Sequence, residues 1–295
     1  MAKPLHPHLM WRMTADKGAI QGAPAKINLS LHVTGQRADG YHLLESLVLF
    51  TEVGDVVHAA PADTLTLRID GPFAAGLVVD DSNLVLRAAR SFGVTRGAAL
   101  RLIKNLPVAS GIGGGSADAA ATLRALSQMW GLPLPDHAAQ LALGADVPVC
   151  MTSDLTLMRG IGDDITRLGL APDLHIILVN PNVGVSTPVV FQGLAQKDNP
   201  PMSAPMPNPS DHTAWLAWLN AQRNDLEGPA RQAAPVIGVV LDALAGQAAC
   251  QIARMSGSGA TCFGVFETAQ ACADACAALH IAHPHWWVVQ TRSAT

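Results

Sequence analysis

Residues 105–120 read NLPVASGIGGGSADAA, with four glycines in the five positions 111–115 and an alanine-rich run directly after them. Glycine accepts positive φ without a Cβ penalty and lets a ligand approach the main chain, so this spacing builds a concave row of N–H donors. A helix starting just beyond adds roughly half a positive charge at its N-terminus, and Ser116 is expected to cap that helix. The chemistry offered is anion binding, phosphate above all. The competing reading is a packing device, where a helix crosses a strand too closely for side chains. A P-loop is excluded because no lysine follows Gly111 at the required place, and the dinucleotide pattern fails because Ser116 stands where its third glycine belongs. Protein-kinase signatures are absent too. The loop must work with backbone donors and a metal, and any lysine must arrive from elsewhere in the chain.

Other residues offer chemistry with less specific spacing. Asp146, in GADVPVC, follows Gly144 and precedes Pro148, a setting in which an aspartate also serves as a simple turn cap. Lys26, in PAKIN, opens a strand, where a lone lysine is ordinarily a solvated edge residue. Tyr41 is the only tyrosine and stands beside His42 in the turn DGYH, offering an aromatic face and an imidazole together. His280, His283 and His285 gather near the C-terminus and His6 and His8 near the N-terminus, but without cysteine or acidic partners they read as surface histidines, not a metal site. The five cysteines, Cys150, Cys250, Cys262, Cys272 and Cys276, show no C-x-x-C spacing, which argues against a disulfide framework and a zinc ribbon alike.

Elements able to position these groups follow from hydrophobic period and punctuation. AKINLSLHVTG alternates apolar and polar residues and reads as a strand with one buried face; LLESLVLF, DTLTLRID and ALRLIKNL read as further strands. NLVLRAARSFG is a helix capped by Asp81, Ser82 or Asn83, the glycine loop leads into a helix ending at Gly131, and DHAAQLALG is a shorter helix. A second set begins near Pro172, with the strands LHIILVNP and HWWVVQT, the glycine-containing MSGSGATCFGVF and helices at TPVVFQGLA, TAWLAWLN, PVIGVVLDALAG and AQACADACAAL. KDNPPMSAPMPNPSDH has five prolines and no period, and reads as a flexible surface loop. The division expected is a mobile leader over 1–18, an N-terminal domain over 19–171 and a C-terminal domain over 172–295.

At 295 residues and 49% hydrophobic, the chain can bury a full core. A net charge of -4 with no basic block argues against nucleic acid and acidic membranes as partners, leaving a small molecule. No apolar run approaches a bilayer span and the first residues lack a signal-peptide core, so a cytoplasmic protein is expected. Nothing distinguishes a monomer from a homodimer.

LPVASGIGGGSADAAA resembles the second motif of the GHMP small-molecule kinases, and APAKINLSL and MSGSGATCFGVF resemble the first and third, in the same order. The resemblance covers about residues 23–291 and implies an α+β, two-lobed fold: an N-terminal lobe like the second domain of ribosomal protein S5 and a C-terminal ferredoxin-like α/β sandwich. It implies ATP as phosphoryl donor, with Mg2+ between its β- and γ-phosphates, and an alcohol as acceptor. By the same resemblance Asp146 accepts the acceptor proton and Lys26 stabilises the developing charge. Pro107, Val108, Ala109, Ser110, Gly111, Ile112, Gly113, Gly114, Gly115, Ser116 and Ala117 wrap the nucleotide, while Asn83 and Lys104 lie around the adenine. Within the family, AKINLSLHVTGQRADGYHLLES and VNPNVGVSTPVVF resemble the branch acting on a cytidine diphospho-alcohol. That assigns Tyr41, His42 and Phe191 to the base and Asn28 and Thr187 to polar contacts with the acceptor. Ala109, Ser110 and Ala117 depart from the glycine and serine found in some relatives and leave open which N–H faces which phosphate. A sibling kinase of another small alcohol and a non-catalytic nucleotide-binding module remain the alternatives, and a dinucleotide-dependent dehydrogenase is the weakest.

Overall fold

The computed structural model describes residues 18–203 and 205–294. Of the expected leader only Gly18 is among them, and His6 and His8 lie outside them. The chain forms two compact units that interleave in sequence. The first takes residues through 25, then 54–108 and 113–152; the second takes 26–53, 109–112 and 153 onward. Two long strands, β1 (Ala19–Gln36) and β2 (His42–Pro61), contribute to both.

In the first unit Val56 to Pro61 of β2 pair antiparallel with β4 (Ala98–Ile103), and β3 (Leu65–Asp70) pairs with β4 in parallel. Among its described residues the unit carries the helices α1 (Leu84–Arg90), α2 (Gly114–Trp130) and α3 (His137–Leu143). Asn83 caps α1 through its side chain and Asp136 caps α3. Helix α2 is alanine-rich where it is buried, at Ala117, Ala119, Ala120, Ala121 and Ala125, which favours helix and permits close packing. It ends at Gly131, whose φ of 66° is the left-handed C-cap foreseen from the sequence.

In the second unit β5 (Leu155–Gly160) pairs antiparallel with Leu44 to Val48 of β2 and with β6 (Asp164–Gly169). A separate antiparallel sheet runs β10-β7-β9-β8, from β7 (His175–Asn180), β8 (Cys250–Met255), β9 (Cys262–Phe266) and β10 (Trp287–Arg292). With it come α4 (Thr187–Gln192), α5 (His212–Asn220), α6 (Glu227–Ala233), α7 (Val236–Ala245) and α8 (Ala269–Ala282). Ile177, Val179, Ile237, Val240, Leu244, Phe266 and Leu279 form its core with Leu31 and Val33 of β1. Among the described residues no helix is long and apolar enough to cross a membrane.

Strand β1 departs from the expected single buried face. Ile27, Leu29, Leu31 and Val33 are buried on one side, and the alternating Lys26, Asn28, Ser30 and His32 are buried on the other. The polar side is sustained by hydrogen bonds: Ser46 Oγ accepts from Asn28 Nδ2 and donates to the Ser30 carbonyl, and His32 Nε2 accepts from the Arg223 amide. Burial, then the nearby Arg223, lowers the His32 pKa, which keeps that imidazole neutral at pH 7.

The proline-rich segment, read as flexible, is pinned by partners that its own composition does not reveal. The Asn199 amide donates to the Val33 carbonyl, the Met202 amide to Glu45 Oε2, and Trp218 Nε1 to the Ser203 carbonyl. A comparable role falls to Arg254, which is 6% exposed. Its Nη1 donates to the Leu29 and Leu219 carbonyls and its Nη2 to those of Asn220 and Gln222, closing the last turn of α5. Burial, opposed by Glu227, pulls its pKa down to about 10, so it remains charged at neutral pH. Arg254→Met should therefore lower the unfolding free energy by about 3 kcal/mol, since buried carbonyls lose their donors. An unchanged urea midpoint would contradict this role.

Candidate active site

The glycine loop follows β4 and stays in the first unit through Val108. Lys104 is buried, and its Nζ donates to Asp118 Oδ2 at 2.7 Å and to Asp55 Oδ2. Asp55 Oδ1 accepts the amides of Asn105 and Leu106, the first residues of the loop. Asp118 lies one turn into α2, and its Oδ1 is buried without a hydrogen-bond partner. A Cβ on Gly114 would stand 3.1 Å from Lys104 Nζ, so the ammonium sits directly beneath the first turn of α2. Burial acts against the charge of Lys104, but Asp118 and Asp55 more than offset it and its pKa is raised. Burial pushes Asp118 up to about 7; Lys104 opposes the rise and Asp55 adds to it.

Ser116 does not cap the helix. Gly113, left-handed at φ 65°, occupies the N-cap position, α2 begins at Gly114, and Ser116 falls within the first turn. The earlier start follows from glycine's freedom at 113, which turns the chain three residues before a serine cap at 116 would. No side chain caps α2 and no acidic residue lies in its first turn, which leaves its opening amides for a ligand. The segment after α3 passes this turn: a Cβ on Gly144 would be 3.7 Å from Ser116 Oγ, and Asp146 follows two residues later, half-buried in a turn that leads into the short 3-10 helix Val149–Met151.

The middle of the loop, residues 109–112, belongs to the second unit and is held by its carbonyls. Those of Ser110, Gly111 and Ile112 accept from the Thr261 amide, Ser256 Oγ and the Lys26 amide. Gly111 has a φ of 75°, and a Cβ there would meet the Ser256 carbonyl oxygen at 2.6 Å. Close packing, the reading set against anion binding, thus explains this glycine, while Gly113 and Gly114 shape the helix start.

Lys26 and Asn28 share the buried polar side of β1. The Asn28 amide donates to Ser256 Oγ at 3.0 Å, so Ser256 bridges the strand and the glycine loop. Thr187, at the start of α4, hydrogen-bonds Ser258 at 2.7 Å. The His42 and Phe191 rings stack with centroids 4.8 Å apart, and Tyr41 beside them is 63% exposed. His42 Nε2 is buried without a partner, and burial, then Lys197, lowers its pKa, giving a neutral imidazole with one ring nitrogen unspent. The Asn83 side chain is committed to α1 and to the Val78 carbonyl. Among the described residues no group of three or more His, Cys, Asp or Glu is placed to hold a metal, and the five cysteines form no disulfide. The ring of His283 stacks on Trp286.

The model of the GHMP kinases N-terminal domain matches residues 83–154, and that of the C-terminal domain matches residues 209–283. The curated 4-diphosphocytidyl-2-C-methyl-D-erythritol kinase of Cereibacter sphaeroides is 56% identical over 271 residues, 92% of this chain and 97% of the relative. The chain belongs to the GHMP kinase family. The enzyme of the same name from Ruegeria pomeroyi is 54% identical, covering 92% of this chain and 97% of its own length. A crystal structure of 4-(cytidine 5'-diphospho)-2C-methyl-D-erythritol kinase superposes with a TM-score of 0.77 at 29% identity, over 94% of this chain and all of that one. Homoserine kinase from Cytophaga hutchinsonii, at 16% identity and a TM-score of 0.66 over 97% of each chain, shares the fold. The α+β class expected from the sequence is thus the GHMP kinase fold, and family membership makes ATP the phosphoryl donor and a small molecule the acceptor.

Sequence reasoning passed over Asp55, Asp118 and Ser256. A signal existed for Asp118, a lone acid in an alanine-rich run two residues beyond Ser116. Its raised pKa gives a stability prediction: the folded state holds this proton to about pH 7, whereas the unfolded chain releases it near about pH 3.9. The associated stability is fully present below the lower value and lost as pH rises to the upper one. Asp118→Asn carries no such proton, so its Tm relative to wild type should climb between those pH values; a pH-independent difference would contradict it.

Proposed function

We propose that this chain transfers the γ-phosphoryl of ATP to the 2-hydroxyl of 4-diphosphocytidyl-2-C-methyl-D-erythritol, giving the 2-phosphate and ADP, a step of the non-mevalonate route to isoprenoid precursors. The observation that carries the reading is the uncapped start of α2, set in a glycine loop whose Ile112 is bonded to Lys26 and whose Ser116 lies against the segment leading to Asp146. The relatives named for this substrate, 54 to 56% identical over 92% of the chain, support the choice of acceptor.

In this reading the amides at the start of α2 receive the nucleotide's phosphates, and Ser116 offers a hydroxyl in the first turn. Mg2+ entering with ATP would supply charge neutralisation at the transferring phosphoryl group, and the Ser116 hydroxyl is the loop side chain that would contact it. As the acceptor oxygen bonds to the γ-phosphorus and the bond to the β–γ bridging oxygen breaks, Asp146 takes the hydroxyl proton. The Lys26 ammonium stabilises the charge developing on the transferring group, and the loop holds donor and acceptor in line.

The cytosine is read by the cluster on the second unit. Tyr41 and Phe191 supply ring faces, and the unspent Nε2 of the neutral His42 hydrogen-bonds the base edge. Asn28 and Thr187 contribute polar contacts to the remainder of the acceptor. A sibling kinase would have no use for that nitrogen beside two aromatic rings.

Purified protein with Mg-ATP and the cytidine diphospho-alcohol should yield a 2-phosphate monoester identifiable by NMR. Turnover only with an acceptor lacking the cytidine would overturn the assignment. Asp146→Asn should lower kcat by at least about 10²-fold while nucleotide affinity is kept, and near-normal turnover would remove Asp146 from its role. Tyr41→Ala should raise KM for the cytidine substrate by the equivalent of about 1 to 3 kcal/mol, read from initial rates. An unchanged KM would misplace the base.

A further inference from the structure

We propose that Asp55, Lys104 and Asp118 form a strut that sets the shape of the nucleotide loop, with Lys104 serving the phosphates through the main chain it supports instead of by touching the nucleotide. The inference rests on the reading that this loop binds ATP.

Three ionisable side chains are buried together, 4% exposed at Lys104, 0% at Asp55 and 5% at Asp118. Burying such a cluster is costly, and well-packed apolar residues usually stabilise a fold as well or better, so its place in the molecule calls for a local reason. Each member touches a different part of the loop's support. Asp55 holds the amides of Asn105 and Leu106 where the loop begins. Asp118 lies in α2 where the loop has ended, and the ammonium joins the two carboxylates. The span between Leu106 and Asp118 is thereby closed by one cation.

The strut stands on a fixed base. The Lys104 amide donates to the Asp70 carbonyl at 2.7 Å, and its own carbonyl accepts from the Phe73 amide. Gly71, at φ 106°, has room for no Cβ, which would meet the Lys104 carbonyl oxygen at 2.5 Å. At the other end Gly114 does the same for the ammonium, since any side chain there would press on Nζ. These contacts use the side chain of Lys104 on carboxylates and aim it beneath the helix start. Asp118 engages Lys104 through Oδ2, while its Oδ1 is buried without a hydrogen-bond partner.

A loop this rich in glycine has many conformations to lose when a ligand orders it. Fixing both of its ends in advance removes part of that loss from nucleotide binding, the general route by which preorganisation raises affinity. Asp55 lies well along β2 from His42, and the side chains assigned to the acceptor are held by other partners, Asn28 by Ser46, Thr187 by Ser258 and His42 by Phe191, so damage to the strut should fall on ATP alone.

The test compares KM for ATP, KM for the acceptor and kcat at saturating ATP in wild type, Asp118→Ala, Asp118→Asn and Asp55→Asn, with ADP binding measured by calorimetry. Asp118→Ala should raise KM for ATP and Kd for ADP about tenfold and leave acceptor KM and kcat within about threefold, as loss of one charge-assisted bond at a remote support implies. Asp118→Asn keeps a carbonyl oxygen for Lys104 and should restore most of the affinity. Asp55→Asn has one acceptor oxygen where two are needed, and should show the same selective rise even if Asp118→Ala does not fold. The strut is overturned if either disruptive variant binds ATP as wild type does, if both KM values rise in parallel, or if Asp118→Asn is as impaired as Asp118→Ala. Wild-type protein that binds neither ATP nor ADP would overturn the nucleotide reading and the strut with it, whereas normal wild-type binding with unaffected variants overturns the strut alone.

Discussion

The structure depends on a loop that must be rigid while keeping its amides available to an anion. Side chains within the loop cannot meet that demand, because any that capped the helix start would compete with the ligand. The solution observed is to grip the loop elsewhere. In the second unit three successive carbonyls, those of Ser110, Gly111 and Ile112, take the hydrogen bonds that fix its middle. In the first unit Asp55 takes only the amides at its start, and the helix it feeds has no cap of its own. This answers why a loop suited to phosphate contains no lysine: one from the end of β4 lies beneath it, already neutralised by carboxylates.

Strand periodicity extends the same economy to the acceptor. Because Lys26, Asn28, Ser30 and His32 alternate with core residues, one buried ribbon carries a cation, an amide, a hydroxyl and an imidazole on one side. Hydrogen bonds to Ser46, Ser256 and Arg223 hold that side in place. Ser256 is common to Asn28 and to Gly111, so the strand assigned to the alcohol and the loop assigned to the nucleotide are fixed by one hydroxyl.

Much of this was legible in the sequence. The C-terminal ends of α2 and α3, a cap for α1 among Asp81, Ser82 and Asn83, and the strands at β1, β4, β7 and β10 follow from period and punctuation, which are local properties. Three ordered motifs carried the family, and identity across the chain agrees. What escaped is non-local. The hairpin of β5 and β6, the edge strand β8 and the short α6 carry weak periodic signals and are stabilised by pairing and packing. Ser116 was read as a cap because serine favours that position, but Gly113 turns the chain first. The resemblance puts Lys104 around the adenine, while its partners Asp55 and Asp118, 49 and 14 residues away, are visible only in three dimensions. The proline-rich segment has no period of its own, and its order comes from Val33, Glu45 and Trp218.

The central claim is that main-chain amides at the start of α2 receive the nucleotide's phosphates. It is tested most directly by amide chemical shifts of Gly113 to Ala117 in 15N-labelled protein titrated with a non-hydrolysable ATP analogue and Mg2+. The account predicts saturable downfield shifts at Gly114, Gly115 and Ser116 that track the binding isotherm. Full binding of the analogue with those amides unmoved, and the shifts falling elsewhere, would contradict it.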